Sequence, residues 1–146
     1  MDLEFLPRAE KILSARDVAD PVLADLLVLF QEVAATNPPT SFPSMARLKG
    51  KLRDLFYFRY YRLNQSMRLY FMAGEGALIV VHIIENKRRN DLTGGEEEAL
   101  KHGLEEGSSS IAQRKAHRLE REQQQAREAA KEAEKLKTKN KRSDRR

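Results

Sequence analysis

The chain predicts an α+β fold. We expect a small, mainly antiparallel four-stranded sheet in the order β-α-α-β-β-β-α, covered on one face by two N-terminal helices and followed by a charged C-terminal helical tail. Three observations lead there. Leu55 to Tyr61, Met67 to Met72 and Ala77 to Ile84 are β-rich runs separated by short turn signals. Upstream, Leu23, Leu26, Leu27, Phe30 and Ala34 fall at helical spacing and make one apolar stripe. After Gly107 the composition turns to charge, glutamine and alanine.

Taken in order, Leu3-Glu4-Phe5-Leu6 alternates and reads as a first strand at a sheet edge. Pro7 is suited to a first helical turn, so a helix runs from there through Ala9, Ile12 and Leu13 towards Ala15. Asp20-Pro21 supplies an N-cap and a helix-starting proline, and Val22 to about Thr36 follows as the second helix. Asn37-Pro38-Pro39 ends it, and Thr40 to Met45 reads as an irregular connection. Arg47 to Leu52 leads into the three-stranded meander, whose turns are Asn64-Gln65-Ser66 and Gly74-Glu75-Gly76. Asn90 to Gly95 is a loop and Glu96 to Leu104 a short helix, which Gly103 and Gly107 weaken or end. Gly107 to Ser110 reads as a linker, which gives a domain over 1–106 and a helical or disordered basic tail over 107–146.

Period-two alternation sorts the meander. Phe56, Phe58, Tyr60, Met67, Leu69 and Phe71 share one face, which must be covered. Tyr57, Arg59, Tyr61, Arg68, Tyr70 and Met72 share the other. Two arginines on a sheet face are ordinarily solvated or paired, here with Glu85. Lys49, Lys51, Arg53, Lys87, Arg88 and Arg89 at the two ends of the same sheet turn that face towards anion binding.

The chain has 146 residues and a net charge of +5. Residues 1–44 hold three Lys/Arg against seven Asp/Glu, and residues 45–91 hold ten against four. Residues 92–107 hold one against five, and 108–146 hold thirteen against six. A basic block between acidic ones is the pattern of a localised phosphate-backbone site. With no cysteine, disulfides and thiolate zinc sites are excluded. No apolar run reaches the roughly 18 residues of a membrane span, and the acidic start lacks a signal-peptide layout, so a cytoplasmic protein without membrane partners is expected. No phosphate-binding glycine loop or H-E-x-x-H motif occurs, and His82, His102 and His117 are too scattered for a metal site. Neither metal nor other cofactor is expected. His82 falls mid-strand, where a structural histidine is the commoner case. The tail carries opposite charges three or four apart, such as Arg118/Glu122, but no sustained heptad seam. Its basic end suits sequence-independent nucleic-acid affinity.

The segments LEFLPRAEKIL, LKGKLRDLFYFR, MRLYF and VVHIIENKRR stand in an order and spacing that resembles the RelE/ParE-like toxins of bacterial type II toxin–antitoxin systems, HigB-like members included. The resemblance runs from about Leu3 to Glu106. It implies a ribosome-associated, metal-independent mRNA endoribonuclease that inhibits translation, and a cognate antitoxin as partner. In that chemistry the RNA 2′-hydroxyl attacks the adjacent phosphodiester, which calls for a base, an acid and cations around the phosphorane. By the same likeness Arg68 contacts the scissile phosphate and Arg88 supplies the basic position after the last strand. Lys49, Lys51, Arg59, Lys87 and Arg89 are RNA-backbone candidates. Thr93, Gly94 and Gly95 stand where many relatives carry a C-terminal tyrosine, which leaves Tyr57, Tyr70 and His82 to move protons. A ParE-like gyrase inhibitor and a non-catalytic basic RNA- or ribosome-binding protein remain open alternatives.

Overall fold

The computed structural model describes every residue except 16–17, 86–90 and 145–146, and of 140–144 the backbone alone. The elements are β1 (Asp2–Phe5), α1 (Pro7–Leu13), α2 (Asp20–Ala35), β2 (Ala46–Arg47), β3 (Phe56–Arg62), β4 (Gln65–Gly74), β5 (Ala77–Glu85) and α3 (Gly94–Asp144), with 3-10 turns at Pro39–Ser41 and Gly50–Leu52. The α+β class stands, but among the described residues the sheet has five strands rather than four, in the order β1-β5-β4-β3-β2. The added strand β2 is two residues long and pairs Ala46 with Tyr57 and Arg47 with Phe56. Two residues are too few for alternation to declare a strand. β1 runs parallel to its neighbour, pairing Asp2 to Phe5 with Ala77 to Val80 on β5.

Both hairpins close on two residues at positive φ, the geometry that matches the twist of the flanking strands. Glu75 and Gly76 (φ 48° and 74°) fall within the expected turn. The first turn is Leu63-Asn64 (φ 53° and 60°), one residue earlier than expected. Gln65 and Ser66 therefore belong to β4, opposite Arg62 and Tyr61.

Helix α2 buries Val22, Leu26, Leu29, Phe30, Val33 and Ala34. The expected stripe is corrected by a partial rotation: Leu27 is 40% exposed and Leu29 and Val33 replace it. A helix this rich in leucine and valine offers two overlapping apolar faces, and the sheet selects one. Asp20 is the first helical residue behind the N-cap Ala19, not the cap itself. With α1, this helix closes the first core over Phe56, Phe58, Tyr60, Met67, Leu69, Phe71, Leu78, Val80 and Ile83. Phe30 packs edge-on against Phe71 at 5.9 Å and against Phe5 at 5.5 Å.

The opposite sheet face is covered too, where an open surface was expected. The first turns of α3 bring Leu100 and Leu104 onto Tyr70, Met72, Ile79 and Val81, with Leu48, Leu52, Leu55 and Ile111 in the same cluster. The expected short helix and linker are one continuous helix through 107–110. Gly103 and Gly107 serve close approach, not termination. A Cβ built on Gly103 would lie 2.4 Å from Val81 Cγ1, and one on Gly107 2.4 Å from Met72 Sδ. Thr93 caps the helix reciprocally with Glu96: the Glu96 amide donates to Thr93 Oγ1 at 3.1 Å and the Thr93 amide to Glu96 Oε1 at 2.9 Å.

The chain divides into two compact units, Met1–Ile111 and Ala112–Arg146. The second is helical to Asp144, and its apolar side chains Leu119 and Leu136 stay 43% and 61% exposed. No helix among the described residues is long and apolar enough to cross a membrane.

Candidate functional site

Strand register builds the site. Tyr57 on β3 stands opposite Tyr70 on β4, and Tyr70 opposite His82 on β5, so the three form a row across the sheet. Arg59 stands opposite Arg68, and Arg68 opposite Ile84, in the next row. All five polar side chains share the face on which α3 begins. The register shifts between Tyr70 and Phe71, whose partners are His82 and Val80. Val81 is thus an extra residue on β5, a bulge that keeps His82 on the tyrosine side of the sheet.

Contacts within the rows are close. The Tyr57 and Tyr70 rings lie 5.7 Å apart at 35°, and the Arg68 guanidinium carbon sits 5.3 Å from the Tyr57 ring centre. Arg68 is only 7% exposed. A guanidinium taken so far out of water needs partners, and the π-face of Tyr57 supplies one worth about 0.5–2 kcal/mol. The Tyr70 hydroxyl and His82 Nδ1 are buried polar atoms with no well-formed hydrogen bond among the described residues.

Charge and burial set the protonation states. Burial first, and then the Arg8 guanidinium, hold His82 below its ordinary 6.5, while Glu96 pulls the other way. The imidazole is therefore neutral near pH 7. Burial raises Tyr70 above 10; the nearby Arg68 opposes this without reaching good hydrogen-bond geometry, and Glu96 and Tyr57 add to it. Tyr70 therefore keeps its proton. The row thus sets a neutral imidazole beside a protonated phenol.

Of the candidates read from the sequence, Tyr57, Arg68 and His82 come together, and Arg59 joins them at the exposed end of the second row. Lys49 and Lys51 are exposed on the Gly50–Leu52 turn and its flank. That turn is tied down by Leu48 N–H to Leu55 O (3.0 Å) and by Leu48, Leu52 and Leu55, which pack in the cluster holding Tyr57 and Tyr70. Lys87, Arg88 and Arg89 lie outside the described residues. Sequence reasoning missed Glu96 and Arg8. Thr93-x-x-Glu96 carries a capping-box signature that places Glu96 in a first helical turn; Arg8 gives no such signal. A groove of about 510 Å³ opens beside His82, lined by Lys11 and Ile12 from α1, Glu85 from β5 and Glu96 and Ala99 from α3. No group of His, Asp or Glu among the described residues is placed to hold a metal.

No protein-family model matches the chain. No curated protein matches it either. The fold is similar to that of chains in several solved structures, two of which follow. One is the crystal structure of the toxin–antitoxin complex RelBE2 of Mycobacterium tuberculosis, at 15% identity and TM-score 0.42, covering 58% of this chain and 96% of that one. The other is the solution structure of a conserved hypothetical protein, HP0894, of Helicobacter pylori, at 16% identity and TM-score 0.40, covering 59% and 94%.

Proposed function

We propose that the chain is the toxin of a type II toxin–antitoxin system and acts as a metal-independent, ribosome-associated mRNA endoribonuclease in the cytoplasm, held in check by a cognate antitoxin. The row Tyr57–Tyr70–His82, with Arg68 in the next row, carries this reading, together with the motif order running from Leu3 to Glu106. In the proposed reaction neutral His82 accepts the proton of the RNA 2′-hydroxyl. That oxygen attacks the adjacent phosphorus, and the bond from phosphorus to the 5′-oxygen breaks. Tyr57, the more exposed of the two tyrosines, returns a proton to the leaving oxygen, which yields a 2′,3′-cyclic phosphate and a 5′-hydroxyl. Arg68, with Arg88 beyond the last strand, offsets the charge of the phosphorane. Arg59, Lys49, Lys51, Lys87 and Arg89 hold the backbone on either side.

A second reading, a non-catalytic RNA- or ribosome-binding protein, is favoured by one observation: Arg68 exposes too little surface for a phosphate to reach it unless its neighbours move. Induction in bacteria with transcript 5′-end mapping separates the two. The endoribonuclease reading expects growth arrest with new ends inside translated messages, abolished by Arg68→Ala and by His82→Ala. Arrest without new ends rejects cleavage; DNA-damage signalling in its place would identify a gyrase poison.

A further inference from the structure

The groove beside His82 exists because β1 stops short. β1 pairs with β5 only as far as Val80, so among the described residues no strand lies outside His82 to Glu85. At that open edge the groove reaches both sides of the sheet. His82 and Ile84 line it from the face under α3, and Glu85 from the opposite face, which Ile83 and Met67 share. Its walls are tied together. Arg8 on α1 donates through Nη1 to Ala99 O on α3 at 3.0 Å, and the Thr93 amide holds Glu96 Oε1 at 2.9 Å. Half-buried Ile12, Ile84 and Ala99 make the sides apolar. The charged lining sets one cation, Lys11, against two carboxylates, Glu85 and Glu96. Glu85 is exposed, and its carboxylate forms no hydrogen bond or ion pair with another described residue. Such a lining repels a phosphate and suits a neutral, flat heterocycle with N–H donors.

We propose that the groove is a guanine subsite. It takes the base of the nucleotide whose 2′-hydroxyl His82 deprotonates, and Glu85 accepts that base's N1–H and N2–H. This rests on the endoribonuclease reading, which places a ribose at His82. The base hangs from the ribose carbon next to the one bearing the 2′-hydroxyl, so it must lie close beside the imidazole. On the inner side of His82 in its row stands Tyr70, fully buried, which leaves the groove as the space for a base. A volume of about 510 Å³ is ample for one nucleoside and falls among ordinary small-molecule sites, about 300–1,000 Å³. Guanine is selected by its donors. Its pairing edge carries two adjacent N–H groups, which match the two oxygens of one carboxylate. Adenine and cytosine present one amino group there, and uracil one N–H between two carbonyls, so each leaves a carboxylate oxygen without a donor or sets a carbonyl against it.

The test titrates the full chain with 3′-GMP, 3′-AMP, 3′-CMP and 3′-UMP. Binding is followed on the ring resonances of His82, identified by their absence in His82→Gln. All four nucleotides carry the same phosphate, so attraction to the basic tail cancels between them. 3′-GMP is expected to bind about tenfold tighter than the other three, the discrimination a bidentate base contact gives, and to shift the His82 signals. Glu85→Gln, a change at an exposed strand end, is expected to erase that preference and leave the other three nucleotides as they were. Equal affinity for all four, or a guanine preference that survives Glu85→Gln, would overturn the subsite. So would tighter binding of acetyl-arginine amide than of 3′-GMP with the same His82 shifts, which would mark the groove as the seat of a protein partner's basic side chain. Guanine preference and Glu85 dependence in a chain that cuts no RNA would reject the reaction and leave the guanine site standing.

Discussion

Tyr60 and His82 are both held neutral, one by keeping a proton and the other by refusing one. Tyr60 is fully buried, and its hydroxyl donates to Asp25 Oδ2 at 2.6 Å. Burial first, then the Asp25 hydrogen bond, push its pKa to about 12, against a small opposing pull from Arg62. A raised folded pKa means stability present below pH 10 and lost as pH climbs from 10 to 12. Tyr60→Phe should therefore flatten the alkaline limb of stability and cost about 1 kcal/mol at pH 7, the net worth of one hydrogen bond to a partly exposed carboxylate. Urea denaturation at pH 7 and 11 reads both effects. For His82 the sign reverses. Its folded pKa lies below 6.5, so the unfolded chain binds the proton first, and stability falls as pH drops below about 6.5. His82→Gln should lose less stability between pH 7.5 and 5.5 than the wild type; equal losses would place the acid sensitivity elsewhere. The same neutrality puts the acid limb of any cleavage activity below 6.5.

At the scale of elements, α3 tests why two glycines sit in a helix. Val81 is β-branched and stiff, so a methyl on Gly103 cannot be accommodated by a rotamer change. Gly103→Ala should destabilise by about 1–3 kcal/mol through overpacking, even after its gain of about 1 kcal/mol in helix propensity. At Gly107 the obstructing atom is the sulfur of Met72, which can swing aside, so Gly107→Ala should stay within about 1 kcal/mol of wild type. Thermal melts of the pair decide it, since equal effects would mean the helix does not rest on Val81. These glycines also mark where sequence and structure part. The meander was legible because Phe56, Phe58 and Tyr60 alternate with polar neighbours and because Glu75-Gly76 is a turn in any context. The row Tyr57–Tyr70–His82 was only half legible, because register and the bulge at Val81 decide whether a histidine meets a tyrosine, and neither is written in composition. Helix α3 read as two pieces because a glycine looks alike as a breaker and as a point of close approach; only the Cβ position of Gly103 over Val81 tells them apart.

For the molecule as a whole, the question is where the folding unit stops. Composition puts the boundary at Glu106, but side chains beyond it belong to the sheet domain. Ser110 Oγ donates to the Glu4 carboxylate (2.9 and 2.6 Å), and Ile111 covers Gly74 and packs in the second core. Past Ile111 no side chain among the described residues enters either apolar cluster. A chain ending at Gln113 should therefore melt within a few degrees of the full protein and lose helical signal in proportion to its missing residues. One ending at Glu106 gives up the Ser110–Glu4 hydrogen bond, the Ile111 contact and the cover over Met72, a loss of about 2–4 kcal/mol. For a domain near 110 residues that corresponds to a melting point lower by roughly 8–15 °C. If both truncations melt alike, the last turns over Met72 and Gly74 contribute nothing and the compositional boundary is the physical one. If the chain ending at Gln113 also melts far below the full protein, the second unit stabilises the sheet domain, which the exposure of its Leu119 and Leu136 argues against.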